Sequence, residues 1–150
     1  MDNLPTYLWH NVLMGQLHTT GRHIPFMASL HLDLDAVESG VPVSALKNFV
    51  DSSGMQFKDL YEVVIPARTL KHRKAQKERL STDESDKFAR LIRVFDQAER
   101  VLGSRAKALH WFHEPKRRFE GRTPIQMLRT ELGGRMVEEM LGQIEYGMFA

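Results

Sequence analysis

The segment LSTDESDKFARLIRVFDQAERVLG, residues 80–103, constrains this chain more than any other stretch. Phe88, Leu91, Ile92, Phe95, Ala98 and Leu102 recur at the helical period for about five turns, giving one apolar face, where a half-buried strand would alternate every second residue. Ser81 and Glu84 stand at capping-box spacing, and Asp83, Glu84 and Asp86 put negative charge at the end of the helix dipole that favours it. Gly103 follows as a natural stop. A helix of this length needs other helices to cover its apolar face.

The flanking segments supply them. Ser44 is expected to cap a helix carrying Leu46, Phe49 and Val50, with Gly54 ending it. MQFKDLYEVVI places Phe57, Leu60, Tyr61 and Val64 on one helical face. After Ile65, PARTLKHRKAQKERL restarts a helix, with Pro66 tolerated in a first turn that needs no N–H. Downstream, RAKALHWFHEP begins after Ser104 and closes before Pro115. Thr123 and Pro124 open PIQMLRTEL, and Gly133 and Gly134 are expected to separate it from RMVEEMLGQIEYG. In that last helix Met136, Val137, Met140, Leu141 and Ile144 form a stripe. No strand, repeat or low-complexity tract is legible, so the expected class is all-α. The expected organisation is an N-terminal arm with a short helix over 1–40, a helix-turn-helix over 41–80 and a further helical region over 81–150.

Charge then separates these regions. The chain of 150 residues has a formal net charge of only +2. Residues 1–65 hold 3 Lys/Arg against 7 Asp/Glu, whereas residues 66–80 hold 6 against 1. The basicity sits in one short helix that follows another across a tight turn, as a helix-turn-helix requires. Leu70 would anchor that helix inward. Arg68, Thr69, Lys71, His72, Arg73, Lys74 and Lys77 are the candidate DNA contacts, because lysine and arginine neutralise phosphates and arginine reads guanine in the major groove. The turn, Val63, Val64, Ile65 and Pro66, lacks the glycine often found there.

Other chemistry finds little support. With no cysteine, disulfide scaffolds, thiol catalysis and cysteine-ligated metals are excluded, and a reducing compartment is favoured. No apolar run is long enough to span a bilayer and MDNLPTYLWHNVL lacks the basic start of a secretory signal, so a cytoplasmic protein with no membrane partner is expected. His110 and His113 stand one helical turn apart without a third ligand at a recognisable spacing, so no metal site is expected. Nucleophile, P-loop and dinucleotide motifs are missing, so no catalytic residue and no cofactor are expected. Met127, Met136, Met140 and Met148 cluster late in the chain. Met136 and Met140 read as core, while Met148, Phe149 and Ala150 follow Gly147 as an apolar end suited to a partner.

The order RTLKHR, then LSTDESDKFARLIRVFDQAERVLG, then ALHWFHEPKRRFEGRTPIQMLRTELGG, then a helix ending IEYG, resembles the Xre/MbcA/ParS antitoxins over about residues 42–150. Trp111, Phe112 and Pro115 match one element of that family, and Phe119, Gly121, Pro124, Gly133 and Gly147 match later landmarks. The resemblance implies an antitoxin of a type II toxin–antitoxin pair, inhibiting a RES-domain toxin that consumes NAD⁺ and repressing its own operon by operator binding. Trp111, Arg135, Glu138, Glu139, Tyr146, Met148, Phe149 and Ala150 are then the candidate toxin contacts. Residues 131–150 carry four glutamates against Arg135 alone, which suggests an acidic plug for a dinucleotide site. Reading two DNA half-sites implies a homodimer and a hetero-oligomer with toxin, with the apolar face of 82–102 as its seam unless that face is buried within one chain. The alternative is a stand-alone helix-turn-helix regulator whose C-terminal half dimerises or senses a ligand.

Overall fold

The computed structural model describes residues 32–147, which form an all-α structure; among them there is no strand. The order is α1 (Leu34–Ser39), α2 (Ser44–Ser53), α3 (Phe57–Val63), α4 (Ala67–Gln76), α5 (Thr82–Leu102), α6 (Arg105–His113), a 3₁₀ turn at Arg117–Phe119, α7 (Pro124–Met127) and α8 (Glu131–Glu145). Residues 1–31 of the expected arm, and Met148, Phe149 and Ala150, lie outside the described residues.

Helix α5 is the centre of the fold. Its start is the capping box read from sequence: Ser81 Oγ accepts from the Glu84 N–H at 3.2 Å and Glu84 Oε2 accepts from the Ser81 N–H at 2.8 Å. Phe88, Leu91, Val94, Phe95 and Ala98 have no exposed surface, and α5 packs against α1, α3, α6 and α8. Its apolar face is therefore buried within one chain and is not a free dimer seam. An aromatic series crosses the core: Phe49 of α2 meets Phe88 edge-on at 5.5 Å, lies 6.1 Å from Phe95, and Phe95 lies 5.6 Å from Phe112 of α6. Burying each such ring stabilises the fold by about 1.5–3 kcal/mol. The series ties the N-terminal helices to the C-terminal ones.

Several local expectations are corrected. Ser44 is not a cap: Val43 before it is already helical at φ −57° and makes no side-chain cap bond. Instead the Pro42 and Val43 carbonyls take the Ala45 and Leu46 N–H groups. Helix α4 stops at Gln76 because Lys77 turns left-handed at φ 55°, and the Glu78 N–H closes back on the Arg73 carbonyl at 2.9 Å. Helix α7 is only 4 residues long, although Thr123 caps it and Pro124 occupies its first turn as expected.

Gly133 and Gly134 do not separate helices; both lie inside α8, which Thr130 caps by accepting from the Gly133 N–H at 3.0 Å. Close approach explains them. A Cβ on Gly133 would fall 2.0 Å from the Met127 carbonyl oxygen, and one on Gly134 2.8 Å from Arg90 Cδ of α5. Only glycine lets α8 enter at this distance.

Candidate functional site

Helices α3 and α4 form the helix-turn-helix. Asp59 Oδ2 accepts the Gln56 N–H at 3.0 Å, fixing the start of α3. The turn places Val64 and Ile65 in the core, and the Val64 and Ile65 N–H groups both reach the Leu60 carbonyl, at 2.8 and 3.0 Å. None of its residues has a positive φ, so it needs no glycine. Leu70 is 3% exposed and anchors α4, as expected.

The helical period sorts the charged residues around that anchor. Arg68, Lys71 and His72 lie on the exposed side, Thr69 is half-buried beside them, and Lys77 is exposed past the helix end. Lys74 flanks Leu70 and rests over the Phe57 ring at 5.7 Å from its centroid. Arg73 departs from expectation. It does not project outward, because Glu84 at the first turn of α5 holds its Nε at 2.7 Å and Glu78 holds Nη1 at 3.1 Å. The hydrogen bond to Glu84 is the main reason its guanidinium is held more firmly protonated than an ordinary arginine. Arg73 braces α4 on α5, leaving Arg68 and Lys71 as outward cations of the helix, with His72 exposed beside them.

The C-terminal candidates fall into two groups. Trp111 of α6 is half-buried, edge-on to Phe112 at 5.5 Å, with Lys116 Nζ 5.2 Å from its ring centroid. Tyr146 is 80% exposed just past α8. By contrast the acidic residues are already engaged: Arg93 Nε donates to Glu138 at 2.7 Å, Arg118 Nη2 to Glu139 at 2.9 Å, and Arg135 lies 3.3 Å from Glu131. The excess of glutamate in the sequence is thus largely balanced by arginines from α5, the 3₁₀ turn and α8 itself, which removes the charge argument for an acidic plug. Met148, Phe149 and Ala150, the rest of that candidate, lie outside the described residues.

Sequence reasoning missed two features here. Leu132, at the first turn of α8, is 70% exposed beside a cleft of 610 Å³ between α7 and α8. His113 of α6 reaches Asp59 of α3, Nε2 to Oδ1, at 3.0 Å while its Nδ1 lies 2.8 Å from the Leu109 carbonyl. His110 is exposed and points to Glu114 at 3.5 Å instead, so the two histidines do not converge. Among the described residues no three metal-ligating side chains cluster and no helix is long and apolar enough to cross a membrane.

A helix-turn-helix with an outward basic helix is joined through one core to a second set of helices. Known families match both parts: the Xre-like antitoxin helix-turn-helix domain over residues 34–93, and the Xre/MbcA/ParS C-terminal toxin-binding domain over residues 97–147. An Antitoxin Xre of Photorhabdus laumondii is 32% identical over 130 residues, 85% of this chain and 88% of that protein. The chain belongs to the Xre/MbcA/ParS antitoxin family. An Antitoxin Xre of Pseudomonas putida is 48% identical over 84 residues, 56% of this chain and 53% of its own. The match to a Yersinia enterocolitica Antitoxin Xre covers 59% of that protein, so the chain matches little more than half the length of these two relatives. A Prs ADP-ribosylating antitoxin of Sphingobium is 24% identical over 127 residues.

Proposed function

We propose that this chain neutralises a RES-domain toxin that consumes NAD⁺, by covering the toxin's active site, and represses its own operon by binding operator DNA. The observation that carries this reading is the division of labour in one helical body. Arg68, Lys71 and His72 face outward from α4 while Arg73 and Leu70 fix that helix from behind, and the residues matching a toxin-binding domain run from the end of α5 through α6 to α8. The relative named for ADP-ribosylating chemistry supports an NAD⁺-consuming partner. Within this reading residues 41–80 carry DNA binding and residues 81–150 carry toxin binding and dimerisation. Thr69, Lys74 and Lys77 supplement the outward cations along phosphates. Trp111, Arg135, Tyr146 and the Met148, Phe149, Ala150 end join the toxin contact. No chemistry of its own is required, since inhibition works by occlusion. The chain acts as a homodimer on paired half-sites and forms a hetero-oligomer with toxin, in the cytoplasm.

Co-expression of the full chain with a tagged RES-domain protein of the same operon tests this. The expected result is co-purification and a retarded operator fragment in a gel shift. Recovery of the tagged protein alone would refute the antitoxin reading, leaving a stand-alone regulator.

A further inference from the structure

We infer that the cleft between α7 and α8 is a docking site for a toxin segment that presents an apolar side chain next to a carboxylate. The inference deepens, and rests on, the toxin-binding reading above. Met127, Leu132, Gly133 and Met136 supply an apolar side to this 610 Å³ cleft, and Gln126, Thr130, Arg122 and Arg129 supply a polar one.

Each part has a physical cause. Gly133 is pinned against the Met127 carbonyl, so the wall on that side is backbone and cannot be filled by a side chain. Met127 is 5% exposed and Met136 half-buried, and their flexible thioethers suit an adaptable apolar contact. A single exposed leucine is ordinary on a protein surface. Leu132 differs in standing 70% exposed at the lip of this cleft, where a partner would cover it.

The polar side decides the chemistry of the occupant. Arg90, Arg93, Arg118 and Arg135 each hold a carboxylate of this chain. Arg122 donates from Nε to the Phe119 carbonyl at 3.1 Å, and its one ion pair among the described residues is with the exposed Glu120, at 3.4 Å. Arg129 has no ion pair among the described residues. A cleft that sets apolar side chains beside arginines suits a partner offering both chemistries, and a guanidinium favours a planar carboxylate that it can grip with two N–H groups. Among the arginines of this half, Arg122 and Arg129 are the ones that border the cleft, while Glu131, Glu138 and Glu139 of α8 are held by arginines of the fold.

The test titrates the full chain with the RES-domain protein of its own operon. Leu132→Asp and Arg129→Glu should each weaken binding by roughly tenfold or more, while Leu132→Met stays within about threefold and Arg129→Lys, which keeps the charge but loses the two-N–H grip, falls between them. Both positions are exposed, so melting temperatures should match the wild type, which separates lost docking from lost folding. Raising NaCl from about 0.05 to about 0.5 M should weaken the wild type more than Arg129→Glu. Wild-type affinity in both disruptive variants would overturn the docking site while leaving toxin binding intact. No binding by the wild type would overturn the toxin-binding reading and this inference with it.

Discussion

His113 and Asp59 join the two halves of this protein: the imidazole Nε2 of α6 lies 3.0 Å from the Oδ1 of α3. Asp59 is 3% exposed, and its second oxygen takes the Gln56 N–H that starts the helix-turn-helix. The side chain that caps α3 is thus the one that α6 holds from the toxin-binding half.

Protonation governs this contact. Burial alone would lower the His113 pKa, but the hydrogen bond to Asp59, helped by the Leu109 carbonyl and the Asp59 charge, raises it above the ordinary 6.5. Only the imidazolium donates from both nitrogens, to Leu109 and Asp59 together. A raised folded pKa contributes stability that is full below the unfolded value and is lost as pH rises through the folded one. His113→Gln should therefore lose about 0.5–1 kcal/mol near pH 5.5, discounted for the ring's partial exposure, and less near pH 9. Thermal melts of both proteins across that range check it, and a gap that stays constant with pH would contradict it.

The two adjacent glycines of α8 should separate by experiment. In an open helix Gly→Ala would help by about 0.5–1 kcal/mol. At Gly133 the new Cβ meets backbone at 2.0 Å, which cannot yield without moving α7 or α8; at Gly134 it meets the Arg90 side chain at 2.8 Å. Gly133→Ala is expected to destabilise by about 2–3 kcal/mol, in the overpacking range, and Gly134→Ala by less. Denaturant melts measure both, and equal or reversed losses would show that the close approach to Met127 is not the constraint.

These glycines also show where sequence reading stops. The box at Ser81 with Glu84 and the cap at Thr123 before Pro124 were legible because the groups involved lie within a few residues of one another. The buried face of α5 was legible from its period. Gly133 and Gly134 read as breakers because a sequence shows a missing side chain but not the Met127 carbonyl or the Arg90 chain that excludes it. For the same reason Arg73 read as a DNA contact: Glu84, which turns it inward, lies on another helix. Glu138 and Glu139 read as free acid, although Arg93 and Arg118 neutralise them from 45 and 21 residues away.

The split within α4 makes the DNA surface testable. Arg68→Ala with Lys71→Ala should leave the melting temperature unchanged, weaken operator binding and reduce the salt slope by about one unit per lost phosphate contact. Arg73→Ala should instead cost about 1 kcal/mol of stability by freeing α4 from Glu84, whose own side chain is 11% exposed. Gel shifts at several salt concentrations, beside thermal melts, distinguish the two. An Arg73→Ala protein that melts like the wild type would remove the bracing role.

NAD⁺ reports neutralisation of the toxin directly. A RES-domain protein of the same operon, incubated with NAD⁺ alone and then with this chain at equal molarity, should consume NAD⁺ in the first case and be largely silenced in the second. NAD⁺ loss that continues unchanged with the chain in excess would contradict the account.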